Sequence, residues 1–195
     1  MTAAEHAPGR PRDRRTHDAI IRTTEELITE HGYAGTSIGA IATRAGVGKD
    51  AIYRRWSGKP ELVYEALFTT TDVGPVPNTG TLAGDITQFT QDLVDEFSAP
   101  AAAAALPGLL ADFAADSVLR GRLRSTFLAP ARERMVEIFE RAVASGELTD
   151  DVDVELILDT LAGAVFFHVG LMGEPVHAEL ANQLADVVTS GVGAR

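Results

Sequence analysis

The residues best suited to chemistry lie together: "GVGKDAIYRRW", residues 46 to 56, sets Lys49, Tyr53, Arg54 and Arg55 within seven positions. Two guanidiniums and an ammonium on so short a piece of chain are the groups that meet phosphates, or the acceptor edge of guanine. The surrounding protein is acidic, with a formal net charge of -11, and its only two lysines, Lys49 and Lys59, both fall at this stretch. Residues 1–71 hold 10 Lys and Arg against 9 Asp and Glu, whereas residues 72–195 hold 7 against 19. Between Arg44 and Lys59 five basic residues face one acid, Asp50. Electrostatic fields are screened beyond about 10 Å in moderate salt. That window can therefore approach a polyanion that the rest of the chain repels.

Other chemistries lack their residues. The chain has no cysteine, which excludes disulfides, thiolate metal sites and Cys nucleophiles and fits a cytoplasmic setting. No nucleophile elbow, phosphate loop or carboxylate dyad stands out, so neither enzyme activity nor a cofactor is expected. His168 and His177 have no second ligand at i+4, and no metal is expected. The opening "MTAAEHAPGRPRDRR" is polar and basic, unlike a secretory signal. The longest charge-free apolar run, Thr160 to Gly173, is shorter than the roughly 20 residues a membrane span needs, and no membrane partner is expected.

Helical periodicity runs through the whole chain, and no stretch alternates with period two, so the fold class is all-α. A first helix is expected from Thr16 to His31, with Ile20, Thr24, Leu27, Ile28 and His31 on one face and Gly32 as its stop. Thr36 or Ser37 caps a short second helix bearing Ile38, Ile41, Ala42 and Ala45 at i, i+3, i+4 and i+7. After Gly46 to Gly48 a third runs from Lys49 to Trp56, and "SGKPEL" opens a fourth. Residues 72–81, "DVGPVPNTGT", mark a boundary. The expected division is a basic arm over 1–15, a unit of short helices over 16–71 and an acidic helical unit over 72–195. In the last, helices are predicted at 82–97, 101–115 with a bend near Pro107, 117–145 with a kink or break at Pro130, 153–172 and 177–190.

Two short helices joined by a tight Gly-containing turn, with a preceding helix across them, form a helix-turn-helix arrangement. The second short helix of that arrangement lies in the DNA major groove. Ile52 and Trp56 share one side of it and can pack on Ile38 and Ile41, which leaves Lys49, Asp50, Tyr53 and Arg54 outside.

The string "GTSIGAIATRAGVGKDAIYRRWSGKPEL" resembles the signature of the tetracycline-repressor (TetR) family of transcriptional regulators, over residues 16 to 68. The matching features are Gly32-Tyr33, Thr36-Ser37, Ile41-Ala42, Ala45-Gly46-Val47, Ile52-Tyr53, and Trp56 followed by Lys59 and Leu62. The chain departs from the commonest pattern at Gly48, usually Ser or Thr, and at Arg54-Arg55-Trp56. The resemblance implies DNA contacts from Thr36, Ser37, Lys49, Ala51, Tyr53, Arg54 and Lys59. It also implies that residues 82–195 form a ligand-sensing dimerisation domain. In the N-terminal arm, Arg10 and Arg12 flank Pro11 like the extended Arg-Pro segments that enter narrow minor grooves; a plain soluble tail is the other reading.

The expected partners are a double-stranded DNA operator, a second copy of the chain and a small-molecule effector. The 153–172 helix is apolar nearly all round and must be covered on more than one side. Gly163 and Ala164 on it, with Ala181, Leu184, Ala185 and Val188 on the last helix, are the expected dimer interface, the core of a single copy being the other reading. Phe89, Leu93, Phe113, Phe127, Phe166, Phe167, His168 and Met172 either line an effector pocket or fill it as core. These features together describe a repressor that a small apolar or amphipathic molecule releases from a near-palindromic operator. The alternative is an all-α small-molecule-binding protein or enzyme whose helix-turn-helix is only scaffold.

Overall fold

The computed structural model describes residues 11–68, 75–148, 152–173 and 179–192. Helix α1 (Pro11–Gly35) crosses the pair α2 (Ile38–Ala45) and α3 (Lys49–Tyr53), and α4 (Lys59–Phe68) leads toward the second half. That half contains α5 (Leu82–Ser98), α6 (Pro100–Ala115), α7 (Ser117–Arg122), α8 (Ala129–Ser145), α9 (Val154–Phe166) and α10 (Leu180–Val192). The all-α class is as expected, and the described residues contain no strand.

Helix α1 begins five residues before Thr16, so residues 11–15 of the expected arm are helical. Proline suits a first helical position because its missing N–H has no partner to lose there, and Asp13 in the first turn complements the helix dipole. Gly32 then takes φ 67, which only glycine adopts without strain, and breaks the helix. The Thr36 hydroxyl fills the gap by donating to the carbonyls of Leu27 at 3.2 Å and Gly32 at 2.9 Å. Ser37 caps α2, its Oγ accepting from the Ala40 N–H at 3.2 Å, and Gly46 closes that helix in the left-handed conformation.

Packing forms three clusters. Ile20, Ile41, Ile52, Trp56 and Leu62 hold α1 to α4 together. Ile86, Phe89, Met135, Ile138 and Leu161 hold the far end of the second half. Between them Ile28, Tyr64 and Phe68 pack with Phe97, Leu106 and Phe113, so one cluster crosses the 72–81 boundary and joins the halves.

The α7–α8 segment shows what a proline does inside a helical run. Pro130 cannot donate to the preceding turn, and the chain widens into a π-helical turn at Leu123–Leu128 before α8 resumes with Pro130 in its first turn. Pro107, in contrast, lies within a continuous α6. Helix α9 also runs on into a π-helical turn, Phe167–Met172, and together they span 19 residues of mean hydropathy 1.7. By length and composition alone that segment is long and apolar enough to cross a membrane, a test that a core helix packed in protein also passes. Here one side of it packs against α5, α6 and α8.

Glu96, half-buried on α5, has its carboxyl pushed up to about 7 by desolvation, with Arg134 opposing the rise and Asp92 adding to it. The folded protein therefore binds this proton more tightly than the unfolded chain, whose glutamate sits near the ordinary 4.5. The stability cost is absent below that value and grows as pH rises through about 7. Glu96→Gln is expected to raise the melting temperature above pH 7 and leave it nearly unchanged below pH 4.5, as followed by circular dichroism.

Candidate nucleic-acid interface

The inner face of α3 is set by Ile52 and Trp56, 0% and 2% exposed. Trp56 Nε1 donates to Glu65 Oε2 at 2.6 Å and its ring stacks on His17 at 5.4 Å. With that side fixed, the other must face out: Lys49, Asp50 and Arg54 are exposed and Tyr53 is 54% exposed. The helix is shorter than expected, ending at Tyr53 with Arg54 and Arg55 in the turn. Gly48 supplies no side-chain cap, as its missing hydroxyl requires. The Lys49 stem passes close over Gly39 of α2, where a β-carbon would lie 3.3 Å from its Cε.

Neighbouring cations are already engaged. Arg44 pairs with Glu30 at 2.7 Å, which with a side-chain hydrogen bond holds that carboxyl below its ordinary value. Arg55 pairs with Asp13 and donates to the Ala51 carbonyl at 2.7 Å. Lys49 and Arg54 have no such acid among the described residues and remain available to an external anion. Ser57 N–H and Oγ both donate to Glu61 Oε2 at 2.6 Å, a reach-back that fixes the start of α4.

Of the residues singled out by the sequence, Ser37, Lys49, Tyr53 and Arg54 come to one exposed surface, with Ala51 half-buried beside them. Thr36 does not: it is 2% exposed and its hydroxyl serves α1. Its expected DNA contact is corrected to a structural role. Lys59 is half-buried, its ammonium donating to the Tyr33 carbonyl at 3.1 Å and lying 3.8 Å from that ring's centre. Arg12 falls in the first turn of α1 rather than in an extended arm, and Arg10 lies outside the described residues.

An N-terminal trihelical unit that exposes one cationic helix face is now joined by independent likeness. Residues 20–66 match the family described as bacterial regulatory proteins, tetR family, and residues 76–188 match the tetracyclin repressor-like C-terminal domain. The chain belongs to the TetR family of transcriptional regulators. It is 31% identical to the uncharacterized HTH-type transcriptional regulator YdeS of Bacillus subtilis, over 95% of this chain and 94% of that one. It is 30% identical to the HTH-type transcriptional regulator AqdR of Rhodococcus erythropolis, over 98% and 93%. Among solved structures the TetR family transcription regulator SCO0332 superposes with a TM-score of 0.74 at 24% identity, covering 92% of this chain and 100% of that chain. DNA binding and regulation of transcription thus replace the scaffold reading of the helix-turn-helix.

In the regulatory half of this TetR-family protein the expected effector residues divide. Phe89 and Phe113 are buried, in different clusters, and Leu93 packs between the two. Phe166 meets Phe97 edge-on at 4.6 Å, and His168 is half-buried beside Phe167. Phe167 and Met172 are 52% and 50% exposed and face away from any interior pocket, contrary to expectation. The Phe127 side chain lies outside those described. One shallow open groove runs along Leu27, His31, Gly39, Ala40, Thr43 and Arg44, on the DNA-binding unit and far from these residues.

The expected interface needs a similar correction. Ala181, Ala185 and Val188 are at most 6% exposed and turned into the protomer's own core, and Leu184 is packed beside them. Gly163 is exposed and Ala164 half-buried. The outward side of α9 and its π-helical extension instead presents Leu156, Thr160, Gly163, Phe167 and Leu171. Spacings of four, three, four and four residues along that row are a helical stripe that the sequence displays but that its overall apolarity conceals.

Proposed function

We propose that this TetR-family protein is a repressor that grips a near-palindromic operator as a homodimer and is released by a small apolar or amphipathic molecule. The observation that carries the reading is the exposed, unpaired cationic face of α3, Lys49 and Arg54 with Tyr53, on a helix whose other side is locked by Trp56. Arg54 would fork onto a guanine, Lys49 would take a guanine or a phosphate, and Tyr53, Ser37 and Lys59 would meet phosphates. Ala51 would offer a methyl contact at the groove wall.

One α3 reads only a few base pairs, so pairing is needed for a specific site. The exposed stripe of α9 supports a second copy of this chain as its cover. The mostly apolar interior among α5, α6 and α8 supports an apolar effector, whose entry would shift the two α3 helices out of register with their half-sites. A reducing cytoplasm, where the operator lies, is the setting.

Arg54→Ala tests the reading. It should cost about 1–3 kcal/mol on the specific site and relax preference at one base position, while binding to scrambled DNA falls far less. Equal losses on specific and scrambled duplexes, measured by fluorescence anisotropy, would remove Arg54 from base recognition.

A further inference from the structure

The sequence separates Tyr33 from Asp112 by 79 residues, yet Tyr33 Oη donates to Asp112 Oδ2 at 2.5 Å. One helical turn earlier on α6, Gly108 leaves the notch in which the Tyr33 ring lies, for a β-carbon there would come within 2.3 Å of Cδ1. The ring is thus held by α6 at its edge and at its hydroxyl. Burial, reinforced by Asp112, keeps that hydroxyl protonated as a donor. The other side of Tyr33 is used by Lys59, whose ammonium sits 3.8 Å from the ring centre and donates to the Tyr33 carbonyl. A lysine so placed takes its direction from the ring beneath it.

We infer that Asp112, in the regulatory half, is a positioning residue for DNA binding: through Tyr33 it aims the Lys59 ammonium at the phosphate backbone. The inference rests on the reading of Lys59 as a phosphate contact. A second link, Arg122 Nη1 to Glu61 Oε2 at 3.3 Å, reaches the same turn from α7, but Arg122 is 53% exposed, and an exposed single ion pair transmits little. The Tyr33 link is the stronger because the Asp112 carboxylate and the Gly108 notch hold the Tyr33 side chain, and that residue's ring and carbonyl in turn both meet Lys59. Helix α6 is itself seated against Gly170, where a β-carbon would meet Leu106 at 2.9 Å. Displacement of α6 therefore reaches Lys59 without any movement inside the helix-turn-helix.

The test is a double-mutant cycle on the full-length chain with random-sequence duplex DNA, read as the slope of log K against log salt concentration. Lys59→Ala should lower the magnitude of that slope by about 1 per protomer. Asp112→Ala should lower it by a comparable amount, weaken binding several-fold, and add nothing in the Lys59→Ala background. Asp112→Asn, which keeps an acceptor oxygen at the same place, should restore most of the loss. Tyr33→Phe removes the hydroxyl that Asp112 anchors and so frees the ring to turn beneath Lys59; it should reproduce Asp112→Ala, which provides the reading should the latter fold poorly. A normal slope for Asp112→Ala and Tyr33→Phe beside a reduced one for Lys59→Ala overturns the inference, as do additive effects. A normal slope for Lys59→Ala itself overturns the phosphate contact on which the inference stands.

Discussion

Gly163→Arg should leave each protomer folded and still abolish tight operator binding. Gly163 is exposed on α9, and a β-carbon there meets nothing within 4 Å, so the protomer accommodates a side chain at this position. Arginine is also the better helix former, since glycine lies about 0.8–1 kcal/mol below alanine and arginine ranks just after alanine, so stability should not fall. Between two copies, however, the substitution places a charge, and its symmetry mate, in the stripe formed by Leu156, Thr160, Phe167 and Leu171. Loss of pairing removes the effective concentration of the second half-site contact, a loss of about 10²- to 10⁴-fold in affinity. Sedimentation at micromolar concentration and a titration with the DNA flanking its own coding region read the two effects separately. Ala185→Arg is the contrast: at 1% exposure it buries a charge in the protomer's own core and should unfold the regulatory half instead. A Gly163→Arg dimer with unaltered DNA affinity would show that this stripe is not where the copies meet.

Trp56→Ala carries a large stability effect on the N-terminal unit. The indole is 2% exposed, packs with Ile20, Ile41, Ile52 and Leu62, and anchors its N–H on Glu65. Truncation of a buried aromatic of this size costs about 3–5 kcal/mol, a large part of the roughly 5–15 kcal/mol that holds a domain folded. The outer face of α3 exists because its inner face is pinned, so DNA binding should vanish together with the first melting transition. Calorimetry should show the N-terminal unit melting ahead of the regulatory half, and Trp56→Phe should recover much of the difference. A single transition at the wild-type temperature would mean that the cluster around Trp56 does not hold the recognition helix.

The cationic face of α3 was legible because two independent signals coincide there, helical spacing of Ile52 and Trp56 and a local excess of positive charge. Thr36 was not legible. A short hydroxyl side chain beside a helix start suits an external phosphate as well as an internal carbonyl, and only the break at Gly32 assigns it to the carbonyls. The last helix illustrates a second limit. Ala181, Leu184, Ala185 and Val188 do mark a buried face, but the pattern is the same whether the cover is a partner or the chain's own α5, and here it is α5. In α9 the opposite failure occurs, for apolar residues on every side conceal which of them, Phe167 among them, face outward. The start of α1 is hard to read from sequence because "PRDRR" resembles a basic arm, although arginine is a good helix former and Asp13 and Pro11 both favour a first turn. The Tyr33–Asp112 hydrogen bond has no local signal at all, since its partners are brought together only by the packing of α1 on α6.

The central claim, that one cationic helix face makes this acidic chain a DNA-binding regulator, is tested most directly by quantitative footprinting and mobility shift on the DNA flanking its coding region over a range of salt. The expected result is protection of two half-sites about one helical turn, roughly 34 Å, apart, with log K falling linearly and steeply against log salt. Lys49→Ala and Arg54→Ala should each weaken that complex. Binding that is absent, or indifferent to salt and to both substitutions, would contradict the account.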